Sequence, residues 1–154
     1  MKKFINQFVI YLAIASSIIS ASAILTKAQE QQPLLIGQND DTQEITITGV
    51  SGGSDNSQGC GYLSKSPNQV IKLQEETNFM SLSVALDSLQ GSSTLFIIGE
   101  ETNTQFCAFQ DDTTGISNIS GLWPEDTYDI YVGDRNGDNY NFTLTINSSS
   151  DLIQ

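Results

Sequence analysis

Five side chains with hard oxygen donors stand in two short runs. Asp134, Asn136 and Asp138 alternate in VGDRNGDNYNF (132–142), and Asp111 and Asp112 are adjacent in FQDDTTG (109–115). Carboxylates and carbonyls are what calcium takes, roughly six to eight oxygens at about 2.3–2.6 Å. The first run opens like the D-x-[DN]-x-[DN]-G calcium loop. Counted from Asp134, however, Asn139 and Thr145 stand where an EF-hand needs its glycine and its bidentate glutamate. An EF-hand is excluded. What remains is a weak calcium site at Asp134, Asn136 and Asp138, with Asp111, Asp112 or water completing it. The competing reading is plain turn chemistry, because Asn and Asp side chains bond to their own backbone in turns. Calcium is a candidate ligand, and no cofactor is required.

Other chemistry is missing. The chain has no histidine, which removes the commonest general base together with Ser-His-Asp, Cys-His and His-metal centres. Its carboxylates sit in polar, turn-like contexts where nothing raises a pKa for acid–base work. SGGSDNSQGCG (51–61) is glycine-rich but precedes strand-like sequence, so it reads as a flexible loop and not a phosphate cradle. The protein is read as a non-enzyme. Trp123, Tyr128, Tyr131 and Tyr140 offer aromatic surface, and Trp123 and Tyr131 are the candidates for stacking on a sugar or peptide ligand. Cross-strand and core packing is the competing role for aromatics at strand spacing.

Charge and compartment follow from the N-terminus. Lys2 and Lys3, the apolar run FVIYLAIASSIIS and the small residues ASA (21–23) form an export signal over 1–28, with cleavage after Ala23 or Ala28. The alternative is an uncleaved anchor, although the apolar span only just reaches the roughly 20 residues a bilayer requires. The formal net charge is −12, and loss of Lys2, Lys3 and Lys27 leaves three basic residues against 18 acids, a net of −15. So acidic a chain repels nucleic acid and, once its signal is removed, membrane surfaces. The expected location is periplasmic or secreted, and the expected partners are an extracellular protein or polysaccharide. Cys60 and Cys107 are the only cysteines, and an even pair in an oxidising compartment forms a disulfide. Closing so long a loop is worth ~4 kcal/mol in the chain-entropy model.

The elements that must position these groups are strands. Residues 29–42 read as a linker, 43–147 as the domain and 148–154 as a tail. Ile45 and Ile47 alternate with Thr46 and Thr48, and Met80, Leu82, Val84 and Leu86 alternate with polar or small residues. Such period-two runs bounded by Gly, Ser, Asn and Asp predict an all-β, antiparallel β-sandwich of about seven to eight strands. TLFIIG (94–99) is apolar on both parities, as in a strand covered on both faces. Around Asn136-Gly137, a three-residue hairpin loop Arg135–Gly137 opposes Asp134 to Asp138, Val132 to Tyr140 and Ile130 to Phe142. This register gathers the apolar residues on one face, with Gly137 left-handed at the loop end. It also sets two like charges opposite each other, which is the electrostatic motive for calcium. Leu82, Val84, Leu95, Ile130, Val132, Phe142 and Leu144 are the predicted core; Asp129, Thr143 and Thr145 should be more exposed. Asn118, Asn141 and Asn147 open glycosylation sequons, which Asn- and Ser-rich strands also generate by chance.

Residues 92–146 carry an ordered motif set: Thr94-Leu95, Ile97, Gly99, Cys107, Asp111-Asp112, Ile119, Gly121, Trp123, Thr127-Tyr128, Val132-Gly133 and Tyr140 to Ile146. The set resembles the bacterial pre-peptidase C-terminal domain family, especially its small exported cyanobacterial and proteobacterial relatives. GCGYL, with Cys60, suits them too. Glu100 replaces the usual proline, and Glu125-Asp126 replaces a turn glycine. The resemblance implies a jelly-roll-like sandwich, non-catalytic and usually appended to secreted peptidases, some relatives of which bind calcium and collagen. The expected function is therefore an exported, non-catalytic binding or accessory module. The alternative is a structural envelope or extracellular-matrix component without a specific ligand.

Overall fold

Period-two alternation becomes two stacked sheets in the computed structural model, which describes residues 32–37 and 43–149. The export signal and the end of the tail lie outside the described residues. Eleven strands occur among the described residues: β1 (Leu34–Ile36), β2 (Gln43–Val50), β3 (Asp55–Asn56), β4 (Tyr62–Leu63), β5 (Gln69–Leu73), β6 (Thr77–Leu86), β7 (Ser93–Gly99), β8 (Gln105–Phe109), β9 (Ile116–Trp123), β10 (Asp126–Asp134) and β11 (Asn141–Ser149). A four-stranded sheet runs β2-β11-β6-β9. In the seven-stranded sheet β10 is central. One of its edges pairs with β7, which carries β8, and the other is shared by β5 and β4. β1 extends β5, and β3 extends β4. All pairs are antiparallel except β1 with β5.

The expected all-β sandwich is therefore present, with more strands than expected because β1, β3 and β4 are only two or three residues long. Leu34–Ile36 fall inside the stretch read as linker, yet Ile36 is buried against the core. Ser148 and Ser149, read as tail, still pair with β6. The flexible-loop reading of 51–61 is corrected as well: Asp55–Asn56 form a strand, Ser51 and Cys60 are buried, and backbone bonds fix the segment.

Alternation decides the core. Met80, Leu82 and Val84 of β6 and Phe142, Leu144 and Ile146 of β11 point inward, against Leu95 and Ile97 of β7 and Tyr128, Ile130 and Val132 of β10. Burying each such side chain stabilises by about 1.5–3 kcal/mol. All seven residues predicted as core are buried, and Asp129, Thr143 and Thr145 are each partly exposed.

The hairpin register is overturned. β10 and β11 belong to different sheets and share no ladder. Asp134 pairs with Ser93 and Tyr62, not with Asp138. Ile130 and Phe142 do enter one core, but from opposite layers. Period-two parity reports which side of a strand is apolar; two strands facing each other across a sandwich satisfy it as well as two neighbours do. Gly137 is left-handed as expected, at φ 86°, in a turn that carries the chain from one sheet to the other. By Asn141 the backbone is already bonded to the four-stranded sheet.

Candidate functional site

The sequence-predicted oxygen donors are placed in two separate turns. Asp134 is fully buried. Its Oδ1 accepts the N–H groups of Asn136 at 2.7 Å and Asp138 at 3.3 Å, and its Oδ2 accepts that of Ser92 at 2.8 Å. The carboxylate thus organises its own turn and ties it to β7, while Asp138 and Asn136 are exposed. Asp111 does the same in the β8–β9 turn, accepting N–H groups from Thr113 at 2.9 Å and Thr114 at 2.8 Å. These backbone bonds, Thr114 first, hold its carboxyl below the usual value. Asp112 is exposed beside it. Among the described residues no three acidic or cysteine side chains converge as a metal-holding group. The like-charge opposition that motivated calcium does not exist in this fold.

Trp123 is corrected as a stacking residue. It is 2% exposed, its Nε1 donates to the Met80 carbonyl at 2.9 Å, and its ring packs against Tyr128 edge-on and against Phe106. A ring so enclosed cannot present a face to a ligand. Tyr131 is different. It points out of the seven-stranded sheet from β10, beside Phe96 of β7, its ladder partner. Both are half-buried. Their ring centroids are 6.3 Å apart and their planes inclined by 42°, which makes a notch and not a flat platform.

A wall stands over this notch. β3 and β4 form a small antiparallel hairpin that is anchored on β10, next to its tip, through Tyr62 and Asp134. At its tip, Ser57 Oγ donates to the Gly61 carbonyl at 2.8 Å and accepts from Cys60 N–H at 2.7 Å. The Thr94 hydroxyl donates to the Cys60 carbonyl at 2.8 Å. The Cys60–Cys107 disulfide, with Cα atoms 5.9 Å apart, then fastens the tip to β8. That spacing lies within the usual range of about 4.4–6.8 Å. Cys107 is itself the ladder partner of Phe96, so the bridge rises next to the notch. Gly61 has φ 79°, and a Cβ there would sit 2.7 Å from the Asp134 carbonyl oxygen, so the approach of tip to sheet requires glycine.

The result is an open cleft of about 200 Å³. Phe96, Ile98 and Tyr131 on the sheet and both arms of the hairpin, Asp55–Ser57 and Leu63–Lys65, line it. Asp129, on the same outer face as Tyr131 and cross-strand from Ile98, borders the floor. Its carboxylate has no hydrogen-bond or ionic partner among the described residues, and burial pushes its pKa up. Burial and the nearby Asp129 charge push the Tyr131 hydroxyl up as well. Another surface depression, lined by Phe109, Asp111, Ile116 and Asn118, offers less free chemistry. There Arg135 already covers the Phe109 ring at 4.5 Å, and the Asn118 amide is bonded to Ser81 and Ser83.

Sequence reasoning found Tyr131 but missed Phe96, Asp129 and the hairpin wall. The signal available was TLFIIG, apolar on both parities: its outer residues Phe96 and Ile98 are half-covered because the hairpin roofs part of them.

Fold and site define a disulfide-bonded β-sandwich with a walled cleft on one outer face. Over 106 residues the chain is 28% identical to an uncharacterized protein of the cyanobacterium Synechococcus elongatus, a match spanning 66% of this chain and 74% of that protein. No family model matches the chain.

Proposed function

We propose that the protein is an exported, non-catalytic binding or accessory module whose ligand surface is the cleft over Phe96 and Tyr131. The observation that carries this reading is the pairing of half-exposed aromatic rings with the unpartnered Asp129 carboxylate under a covalently fastened wall. Holding partly apolar side chains at the surface and desolvating a lone carboxylate both cost stability, and binding surfaces tolerate such costs where the interior does not. The disulfide supports an oxidising compartment, periplasmic or extracellular. The likeness of residues 92–146 to pre-peptidase C-terminal domains points the same way, towards a non-catalytic appendage that engages an extracellular protein or polysaccharide.

The test is retention on peptide and glycan arrays, repeated with Phe96→Ala and Tyr131→Ala. Both residues point outward, so the variants should keep the fold. Specific retention that both substitutions abolish supports the module. Absence of retention on either array favours an inert structural component of the envelope or matrix.

A further inference from the structure

We propose that the cleft seats a cationic side chain, arginine or lysine, of a polypeptide partner, with Asp129 as its counter-ion and the Phe96–Tyr131 notch holding the stem. The inference rests on the binding-module reading and specifies its ligand.

Three observations converge on this chemistry. The first is the carboxylate. Asp129 is half-buried and accepts no hydrogen bond among the described residues, although an ionised carboxylate can accept several hydrogen bonds. A guanidinium or ammonium supplies both the donors and the opposite charge. The second is shape. A pyranose stacks on a flat ring face, whereas planes inclined by 42° enclose a narrow groove. The methylene stem of Arg or Lys packs along apolar surface while its head reaches a polar group, and aromatic faces attract the cation itself. At about 200 Å³ the cleft lies below the roughly 300–1,000 Å³ of pockets that take whole small molecules, but it admits one side chain. The third is the field. A net charge of −12 draws cations in and repels anionic ligands.

The charged groups around the floor are few. Asp55 is on the hairpin wall and adds to the attraction. Lys65, just past β4 on the same hairpin, is exposed and makes no ion pair among the described residues; it opposes a second positive charge and so limits the site to one. Lys72, from β5, lies beyond Asp129 on the same sheet.

The experiment is a titration of the full chain with capped Gly-Arg-Gly and Gly-Lys-Gly, read by amide chemical shifts. Capped Gly-Gln-Gly, Gly-Glu-Gly and a neutral tetrasaccharide serve as comparators. The expected result is saturable shifts at Phe96, Ile98, Asp129 and Tyr131 with the two cationic peptides only. Asp129→Asn should weaken binding roughly fivefold, the effect of a partly exposed ion pair, and Lys65→Gln should strengthen it. Because Asp129→Asn is isosteric, an unchanged spectrum elsewhere verifies its fold. Equal shifts with the glutamine peptide, unchanged affinity in Asp129→Asn, or shifts scattered over the acidic surface would overturn the proposal. Saturable binding of the tetrasaccharide alone at these positions would overturn the cationic ligand while leaving the binding module intact. Silence from every probe here and on both arrays would overturn both.

Discussion

Thr102 donates twice to Asp126 across the β7–β8 turn, from its N–H at 3.1 Å and from its hydroxyl at 2.6 Å. Glu101 N–H and Thr127 N–H complete the set at 2.9 and 2.7 Å. A carboxylate that is 2% exposed therefore accepts from four donors, and it fixes the turn leading into the strand that bears Cys107. Burial alone would raise its pKa. The hydrogen bonds, led by the Thr102 hydroxyl, outweigh that and lower it.

The pH consequence has a definite sign. A carboxyl depressed in the folded state stabilises fully above its ordinary value of 3.8, and that contribution is lost as pH falls through the lower folded value. Asp126→Asn keeps one acceptor but turns an amide N–H₂ towards backbone donors. At neutral pH it should cost about 1–3 kcal/mol, the loss expected when a charged hydrogen-bond partner is removed. Denaturant titrations at neutral and strongly acidic pH check this: the gap between wild type and variant should narrow in acid.

Tyr128 is the alkaline counterpart. Burial, with a further push from the charge on Asp126, raises its hydroxyl to about 12, and the hydroxyl donates to the Pro124 carbonyl at 2.9 Å. Here the stabilising contribution is complete below the ordinary value of 10.0 and is lost as pH rises through about 12. Ultraviolet difference titration should show this tyrosine ionising late. Tyr128→Phe should cost roughly 0.5–1.5 kcal/mol at neutral pH and flatten the alkaline limb of stability.

How much of this was legible depends on what parity encodes. Leu82, Val84, Ile130 and Leu144 follow directly from alternation, since a period of two forces every second side chain to one face. Alternation carries no information on strand neighbours, so the β10–β11 hairpin was predicted where a crossing connection exists. β1, β3 and β4 are too short for any periodic signal. Trp123 was ambiguous because an aromatic at strand spacing serves core and ligand alike. Only the three-dimensional enclosure by Phe106 and Tyr128 decides. Asp134 and Asp126 look like surface acids in sequence; turn chemistry accounts for their bonds to nearby amides, but nothing local reports that Ser92 converges on one and Glu101 and Thr102 on the other.

The Cys60–Cys107 bridge should matter for stability and for the cleft. It spans a sequence separation of 47, worth ~4 kcal/mol in the chain-entropy model. Cys60→Ser/Cys107→Ser should lower the urea midpoint accordingly. Amide exchange at Asn56 and Ser57 should rise more than at Leu82 or Leu144, because the hairpin tip loses its covalent anchor while the core keeps its packing.

Asp134 should behave as a structural acceptor. Asp134 is buried and accepts three part-buried amide bonds, so Asp134→Ala strands their donors and should cost about 1–3 kcal/mol. Asp138→Asn, at an exposed position, should change stability by less than about 0.5 kcal/mol. Thermal melts in calcium and in magnesium test the alternative directly. A calcium-specific rise abolished by Asp138→Asn would assign the turn a metal; equal melts in the two cations would leave Asp134 its structural role.

Asp129 should show the opposite sign from Asp126. Burial raises its pKa, which means that the folded state disfavours the charge. For such a group the folded chain binds more protons than the unfolded one, so stability falls as pH rises above the ordinary value of 3.8. The penalty is complete at neutral pH and absent in strong acid. Asp129→Asn removes a desolvated charge that has no partner among the described residues. It should therefore raise the neutral-pH unfolding midpoint and make no difference in acid, which parallel melts at the two pH values would show. A residue whose neutral isostere is more stable is costly to the fold and useful only to something the fold binds. If Asp129→Asn instead lowers the midpoint at neutral pH, the carboxylate has an internal partner, and its assignment as a counter-ion for a ligand fails with it.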